Sequence, residues 1–221
     1  MLVVGYILTA VTSYLLGSIP TGYLLAAARG IDIRTVGSGN IGATNVFRFL
    51  GVPAGVFVLL VDALKGWVAV VVVARLFGNW FADAAGPTAR EWLALVGGVS
   101  AILGHNFTCW LRFKGGKGIA TSAGVLIALV PWALLIIFGV WVIVFALSRY
   151  VSLASICASA ALPPAAWVTK ESHTMICMLT AMSALAIYKH KANIQRLIAG
   201  TETRIAAKKA APQPEAPKQT P

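Results

Sequence analysis

The chain has 221 residues, of which 58% are hydrophobic and only 11% are charged. Soluble domains carry about 25% charged residues, so this composition argues against a soluble domain and predicts an all-α integral membrane protein in a lipid bilayer. The net charge of +11 is interpreted as enrichment of cytoplasmic loops in Lys and Arg. We expect no nucleic-acid partner, because this sequence has no soluble domain that carries a stripe of basic residues.

Apolar segments of transmembrane length recur along the chain, and we interpret them as seven transmembrane helices. The predicted spans are residues 2–28, 51–77, 92–111, 119–130, 132–147, 150–168 and 174–188. Pro20 predicts either a packing kink or a site-lining break in the first span, and Pro163 with Pro164 is expected to break the sixth.

The connections between the spans differ in character. Residues 29–50 form a glycine-rich, amphipathic interfacial segment after the first helix, whereas residues 78–90 read as a polar loop. Most Lys and Arg residues fall in connections on one side of the membrane, and only Arg75, Arg90 and Lys170 fall on the other. This bias predicts an outside N-terminus and a cytoplasmic C-terminus. Residues 1–205 are expected to form one membrane domain, and the Ala/Pro/Lys-rich residues 206–221 a disordered cytoplasmic tail.

The most informative stretch runs from Gly104 to Thr121, between two apolar segments. It contains His105, which titrates in a range useful for acid–base chemistry, and the run Lys114-Gly115-Gly116-Lys117-Gly118. Glycines let main-chain amides approach an oxyanion, the lysines supply charge, and a helix starting near Ile119 would point its positive end there. The P-loop signature fails because Leu111 stands where its first glycine should be. The run therefore predicts an anion site of another kind.

Three further segments place polar groups on the same predicted face. In residues 37–48, Ser38 and Asn40 are candidate helix N-caps, while Asn45 and Arg48 are spaced to face one ligand. The alternative is an interfacial helix with an ordinary glycine-rich entry, but Ser, Thr, two Asn and Arg within eleven positions are many hydrogen-bonding groups for a structural turn. The other two segments supply Ser152, at the turn before the sixth span, and His190 with Asn193 after the last span. Capping and membrane anchoring explain the Ser152 turn as well as ligand contact does, and binding of anionic lipid would give the segment after the last span much the same composition.

Within the second span, Asp62 and Lys65 are spaced to form a compensated buried ion pair. The three cysteines show no metal-ligand spacing, so we expect neither a metal nor a cofactor. No Ser-His-Asp arrangement stands out, and the H-x-x-x-x-D acyltransferase signature is absent because Trp110 follows His105 by five positions. The residues alone thus predict a site for an anionic, phosphorylated ligand.

Three separated motifs together resemble the PlsY family of bacterial glycerol-3-phosphate acyltransferases. They are GSGNIGATNVFR (37–48), GHNF with FKGGKGIAT (104–121) and the segment 190–202. The resemblance runs from about residue 10 to Ile205 and excludes the tail. It implies a seven-helix enzyme of the bacterial inner membrane that faces the cytoplasm. That enzyme would move an acyl group from acyl-phosphate to the 1-hydroxyl of glycerol 3-phosphate, and would release lysophosphatidic acid and inorganic phosphate.

The resemblance also implies site residues. Ser38 and His105 map near the reacting groups, and His105 or the substrate's own phosphate would take the proton. Positions expected to bind phosphate or glycerol are Thr44, Asn45, Arg48, Lys114, Gly115, Gly116, Lys117, Ser152, His190 and Asn193. The competing class is a multi-span transporter of an organic anion, for which binding groups near the bilayer midplane would be expected. Anion flux without product formation would favour the transporter.

Overall fold

A computed structural model of the chain describes residues 1–81 and 86–205. That part is helical, with no β-strand. The α-helices are α1 (Leu2–Ser18), α2 (Thr21–Ala27), α3 (Ala43–Leu50), α4 (Val52–Val68), α5 (Ala74–Phe81), α6 (Gly86–Asn106), α7 (Ile119–Leu129), α8 (Pro131–Ser148), α9 (Val151–Val168), α10 (His173–Lys189) and α11 (Lys191–Ile198). The predicted tail, residues 206–221, lies outside the described residues, as does part of the predicted 78–90 loop.

Several helices have the length and apolar composition of membrane spans. Five such stretches occur in the described residues, and they are Leu2–Ala27, Val52–Phe81, Gly86–Leu111, Pro131–Ser148 and Val151–Val168. The apolar helix α7 is shorter, with 11 residues, and α10 has 17. The all-α membrane architecture is therefore confirmed, whereas the count of seven spans and their orientation stay predictions.

The first span is divided at Pro20. Helix α1 ends at Ser18 and α2 begins at Thr21. The main-chain oxygen of Ile19 accepts hydrogen bonds from the Thr21 amide and from the Lys65 ammonium, both at 3.0 Å. Proline lacks an N–H and interrupts the helical ladder, which explains the break. Helix α1 packs closely on α6 at Gly17. A side chain at this position would overlap the main chain of Ala101.

The prediction of a polar loop at residues 78–90 is wrong for the residues that the structure describes. Helix α5 continues to Phe81 and α6 already begins at Gly86. The prediction rested on the polar residues of this stretch and missed its aromatic spacing. The Phe77 ring meets Trp80 edge-on at 5.9 Å and stacks with Phe81 at 6.5 Å, so this turn has an apolar side of its own. Helical spacing of aromatic rings stabilises such a helix end.

The predicted break at Pro163 and Pro164 is also wrong, because α9 continues through both prolines. Pro163 cannot donate to the carbonyl of Ser159, four residues earlier. That carbonyl instead accepts a short hydrogen bond from the Ser183 hydroxyl on α10. A neighbouring helix therefore satisfies the freed main-chain group, as membrane proteins require.

The interfacial segment contains the predicted short amphipathic helix, α3. Its buried Val46 packs with Ala26, Ile41 and Val58, so α3 covers the junction between α2 and α4. The predicted N-caps are wrong. Gly42 is the N-cap, and the Asn40 side chain accepts a 2.9 Å hydrogen bond from the Gly42 amide before the helix begins.

Candidate active site

Polar side chains converge where α6 and α10 end and where α7, α9 and α11 begin; we call this region the polar end of the bundle. The Lys189 ammonium, on the last residue of α10, donates to the main-chain oxygen of Asn106, on the last residue of α6, at 2.8 Å. The amide of Ile205 donates to the oxygen of Arg149 between α8 and α9 at 3.0 Å. These contacts gather segments that lie far apart in the sequence.

The loop between α6 and α7 folds back onto the end of α6. Gly115 donates to the Asn106 oxygen at 3.2 Å, and Gly116 donates to the His105 oxygen at 2.9 Å. The sequence predicts that these two amides bind an anion. In the structure both already donate to main-chain oxygens, so they are not free to do so. The glycines are required for another reason: a side chain at Gly116 would overlap Nε2 of His105, and one at Gly115 would overlap its main-chain oxygen.

The two lysines of this loop lie in different surroundings. Lys114 is exposed and lines a cavity of about 450 Å³, whose other lining residues are Tyr23, Arg34, Trp110, Leu111 and Arg112. Lys117 is largely buried near the Arg48, Lys189 and Arg196 cations. Burial, reinforced by these cations and opposed by Glu202, lowers the pKa of Lys117 to about 8. Lys117 is therefore a cation that titrates near physiological pH.

His105 lies within α6 and is 5% exposed. The sequence-predicted ion pair is confirmed next to it, with 2.9 Å between Lys65 Nζ and Asp62 Oδ1. His105 Nδ1 lies 3.8 Å from the same carboxylate oxygen and has no hydrogen-bond partner in the described part of the chain. The histidine singled out by the sequence is therefore buried between an ion pair and the glycine loop.

Glu202 is the acceptor at the centre of the polar end. Its carboxylate accepts hydrogen bonds from Ser152 at 2.8 Å, from Asn193 at 2.8 Å and from Arg196 at 2.6 Å. Burial alone would raise the pKa of Glu202, but these three hydrogen bonds outweigh burial and hold it below its ordinary value. Glu202 belongs to the motif 190–202, whose sequence indicates no partner for its carboxylate.

Arg48 approaches the polar end from α3. Its guanidinium donates to the main-chain oxygen of Thr203 at 3.0 Å, and burial lowers the pKa of Arg48 while Glu202 opposes that shift. Thr44 is half-buried one turn earlier on the same helix. The segment 201–205 thus links α3, α9 and α11, which no single motif could indicate.

The Asn45 side chain is buried and contacts the loop that carries Ser38. The Asn45 side chain is 2% exposed and donates to the oxygens of Ile33 and Val36, both at 3.1 Å, while it accepts from the Ser38 amide at 3.2 Å. Asn45 therefore holds the loop that carries Ser38, whose side chain is exposed.

His190 lies between α10 and α11 and is 2% exposed. Burial lowers the pKa of His190 to about 4; its bond to Ala186 acts in the opposite direction, and Lys117 lowers the pKa further. The ring is therefore neutral at neutral pH. Since Nδ1 lies 2.8 Å from the Ala186 oxygen, Nδ1 carries the hydrogen and Nε2 is left as an acceptor.

The composition of the polar end decides which ligands it suits. Lys117 lies near three other cations, Arg48, Lys189 and Arg196, and near the carboxylate of Glu202. Within residues 1–81 and 86–205, no group of three His, Cys, Asp or Glu is arranged to hold a metal ion. Membrane-length apolar helices with an excess of positive charge at one end define an integral membrane protein with a site for an anionic substrate.

Known proteins are similar to this chain in sequence and in fold. A family model described as glycerol-3-phosphate acyltransferase matches residues 7–200. The glycerol-3-phosphate acyltransferase of Geobacter sulfurreducens is 47% identical over 201 residues, which cover 91% of this chain and 97% of that protein. The enzyme of Geotalea daltonii is 45% identical over 196 residues, which cover 89% of this chain and 95% of that protein.

Two solved structures of PlsY (YgiH), an integral membrane glycerol 3-phosphate acyltransferase, are also similar. They are its glycerol 3-phosphate and lysophosphatidic acid forms, with TM-scores of 0.80 and 0.78. Both are 38% identical to this chain and cover 91% of it, and the match covers 96% and 95% of their chains. The chain belongs to the glycerol-3-phosphate acyltransferase family and is an integral membrane enzyme of phospholipid biosynthesis, which confirms the family indicated by the three motifs.

Proposed function

We propose that this enzyme transfers a fatty acyl group from acyl-phosphate to the 1-hydroxyl of glycerol 3-phosphate. The products are lysophosphatidic acid and inorganic phosphate. Residues 1–205 form a single domain with seven spans in the bacterial inner membrane; the N-terminus is outside and the polar end faces the cytoplasm. The apolar spans and the excess of Lys and Arg in connections on one side support this orientation.

The excess of cations around Glu202 is the observation that carries the proposal. Two phosphorylated substrates repel each other, so a site that brings them together needs several positive groups. Arg48, Lys117 and Arg196 supply this charge around one carboxylate. The first N–H groups of α7, directly after Lys117, add the positive end of a helix.

The proposed roles follow from the contacts. Arg48 and Lys117 bind phosphate oxygens. Ser152 and Asn193, which both donate to Glu202, contact glycerol through the Ser152 oxygen and the second amide hydrogen of Asn193. Neutral His190 offers Nε2 as an acceptor for a hydroxyl. Thr44 adds a hydroxyl beside Arg48, and Lys114 receives an anion in the exposed cavity. Gly115 and Gly116 keep the loop in contact with His105, while Asn45 holds the Ser38 loop.

The chemistry needs orientation more than activation, because acyl-phosphate is a mixed anhydride with a good leaving group. His105 and Ser38 are the residues proposed nearest the reacting carbonyl and hydroxyl. The proton of the attacking hydroxyl passes to His105 or to a substrate phosphate. His105→Ala or Ser38→Ala with normal turnover would remove that residue from the chemistry.

Donor choice provides the direct test. Purified protein in lipid is incubated with glycerol 3-phosphate and either palmitoyl-phosphate or palmitoyl-CoA, while lysophosphatidic acid and phosphate are measured. We expect product from palmitoyl-phosphate alone. Product from the CoA ester alone would overturn the proposed donor, and absence of product from folded protein with both donors would overturn the proposed reaction. Assays in sealed vesicles of known orientation then test the sidedness of the site.

A further inference from the structure

A cavity of about 450 Å³ lies between the segment that follows α2 and the loop that follows α6. Its lining residues are Tyr23, Arg34, Trp110, Leu111, Arg112 and Lys114. Three of the six are cations, none is a carboxylate, and the other three present apolar or aromatic surface. A concave site with this lining favours an anion that also carries an apolar part.

The cavity lies where two apolar stretches of membrane length end. Tyr23 is near the end of the stretch Leu2–Ala27, and Leu111 is the last residue of the stretch Gly86–Leu111. The Trp110 side chain is largely exposed, and tryptophan is enriched where a membrane meets water. The cavity is therefore at the level of lipid headgroups.

Arg34 is held in a fixed orientation at this cavity. Its Nε and Nη2 donate to the Asp32 carboxylate at 2.9 Å and 2.7 Å, and its guanidinium carbon lies 4.8 Å from the centre of the Tyr23 ring. Its Nη1 makes no hydrogen bond to the residues that the structure describes. A guanidinium with one side fixed and the other side free is well suited to bind a phosphate oxygen.

Arg112 and Lys114 reach the cavity through an unusual turn. Arg112 and Phe113 have φ values of 53° and 60°, in the left-handed region that non-glycine residues rarely adopt in succession. The Phe113 amide donates to the Thr108 oxygen at 2.9 Å, and the Lys114 amide donates to the Leu111 oxygen at 3.1 Å, so both hydrogen bonds hold this turn. In the described part of the chain, no carboxylate forms an ion pair with Arg112 or Lys114.

We propose that this cavity binds the phosphate headgroup of an anionic membrane lipid. Arg34, Arg112 and Lys114 contact the phosphate oxygens, while Trp110 and Leu111 contact the lipid below its headgroup. A free phosphate has the same anionic group, but it would make no use of the apolar lining. The proposal rests on the proposed function only in that it identifies the anion that Lys114 receives.

A headgroup in the cavity would connect two loops of the candidate site. Arg34 lies in the loop that is held by Asn45 and continues to Ser38. Lys114 begins the glycine loop, which packs on His105. An anion bound to both cations therefore fixes these two loops relative to each other.

Native mass spectrometry of the full chain in detergent, titrated with phosphatidylglycerol, measures this binding. Arg34→Gln with Arg112→Gln removes two cations of the cavity, neither of which has a proposed role in the reaction. Each cation near an anionic lipid contributes about a fivefold factor, so the first phosphatidylglycerol should bind about 25-fold more weakly. Arg29→Gln with Lys191→Gln is the matched control, because it removes two exposed cations that do not line the cavity. Equal weakening by both pairs would show attraction by net charge alone and overturn the proposal.

Arg34 also stabilises its own loop through Asp32, so a single variant separates lipid binding from loop structure. Arg112→Gln leaves that contact intact and should weaken phosphatidylglycerol binding about fivefold. The lipid should also slow main-chain hydrogen exchange in residues 31–38 and 112–118 of the unmodified chain, but not in the paired variant. Unchanged affinity in Arg112→Gln, or exchange that the lipid does not alter, would overturn the proposed site.

Water-soluble phosphates distinguish the two sources of the anion. We expect glycerol 3-phosphate and inorganic phosphate to leave phosphatidylglycerol bound, and KM for glycerol 3-phosphate to be the same in the cavity variant and in its control. Displacement of the lipid by either phosphate, or a raised KM in the cavity variant alone, would assign the cavity to the substrate and overturn the lipid proposal. Folded protein that binds phosphatidylglycerol but forms no lysophosphatidic acid would instead overturn the proposed function alone.

Discussion

Lys189 and Asn106 are the last residues of α10 and α6, and the ammonium of Lys189 donates a 2.8 Å hydrogen bond to the main-chain oxygen of Asn106. The same ammonium lies 4.5 Å from the centre of the Phe107 ring. The Asn106 oxygen also accepts a hydrogen bond from the Gly115 amide. The two hydrogen bonds to this oxygen therefore hold the end of α6, the end of α10 and the glycine loop together. The polar end therefore depends on a pairing of helix ends.

Replacing Lys189 by Met should loosen this junction. A hydrogen bond to a charged group contributes about 1.5–3 kcal/mol, so the midpoint of thermal unfolding in detergent should fall and turnover should drop about 10-fold. Lys191→Met is the matched control, because its ammonium lies over the exposed Tyr188 ring, 5.1 Å from the ring centre. Equal effects of the two variants would contradict a specific role for the Lys189 contact.

A methyl group at Gly116 should abolish activity by displacing the His105 ring, since the added carbon would overlap Nε2. We expect Gly116→Ala to fold and to lose turnover at least about 100-fold, the scale of a misplaced catalytic group. Gly139→Ala in α8 is the control, because an added side chain there meets nothing within 4 Å. Turnover assays with melting curves make the comparison, and an active Gly116→Ala enzyme would show that the contact with His105 is dispensable.

The lowered pKa of Lys117, about 8, predicts a pH-dependent substrate affinity. Below pH 8 the ammonium is charged and attracts phosphate; above pH 8 it loses its proton, so KM for glycerol 3-phosphate should rise toward pH 9. The substrate remains dianionic over this range, because its second phosphate pKa is about 6. Lys117→Arg keeps its charge and should flatten the rise. A rise of the same size in that variant would assign the titration to another group.

The Ser183 hydroxyl should contribute to stability through the Ser159 carbonyl, which Pro163 leaves without a helical donor. Ser183→Ala would leave this buried acceptor unsatisfied, at a cost of about 1–3 kcal/mol in the free energy of unfolding. Thr180→Ala removes an exposed hydroxyl that donates to the Ile176 oxygen within α10, and it serves as the control. Unfolding curves of the two variants test this, and equal stability would show that α9 needs no support from α10.

The structure brings together several residues that the motifs predict to form the site. His105, Lys117, Ser152, His190 and Asn193, predicted from the residues and the family resemblance, each lie at or beside the polar end. Their roles in binding and catalysis stay predictions. The sequence could not show how they are used. Asn45 proved to hold a loop, and the amides of Gly115 and Gly116 proved to be occupied, because partners of main-chain groups depend on how distant segments meet.

The sequence by itself determined the class of protein, the approximate positions of five apolar spans and the family, because apolar length and local motifs can be recognised without a folded structure. It also predicted the Asp62–Lys65 pair, whose partners lie within one helical turn. Only the tertiary structure decided that α9 passes through Pro163, that Glu202 gathers Ser152, Asn193 and Arg196, and that Asp62 faces His105. Ser152 and Glu202 are 50 positions apart, and the packing of helices and their connections, rather than local spacing, brings such residues within hydrogen-bond reach.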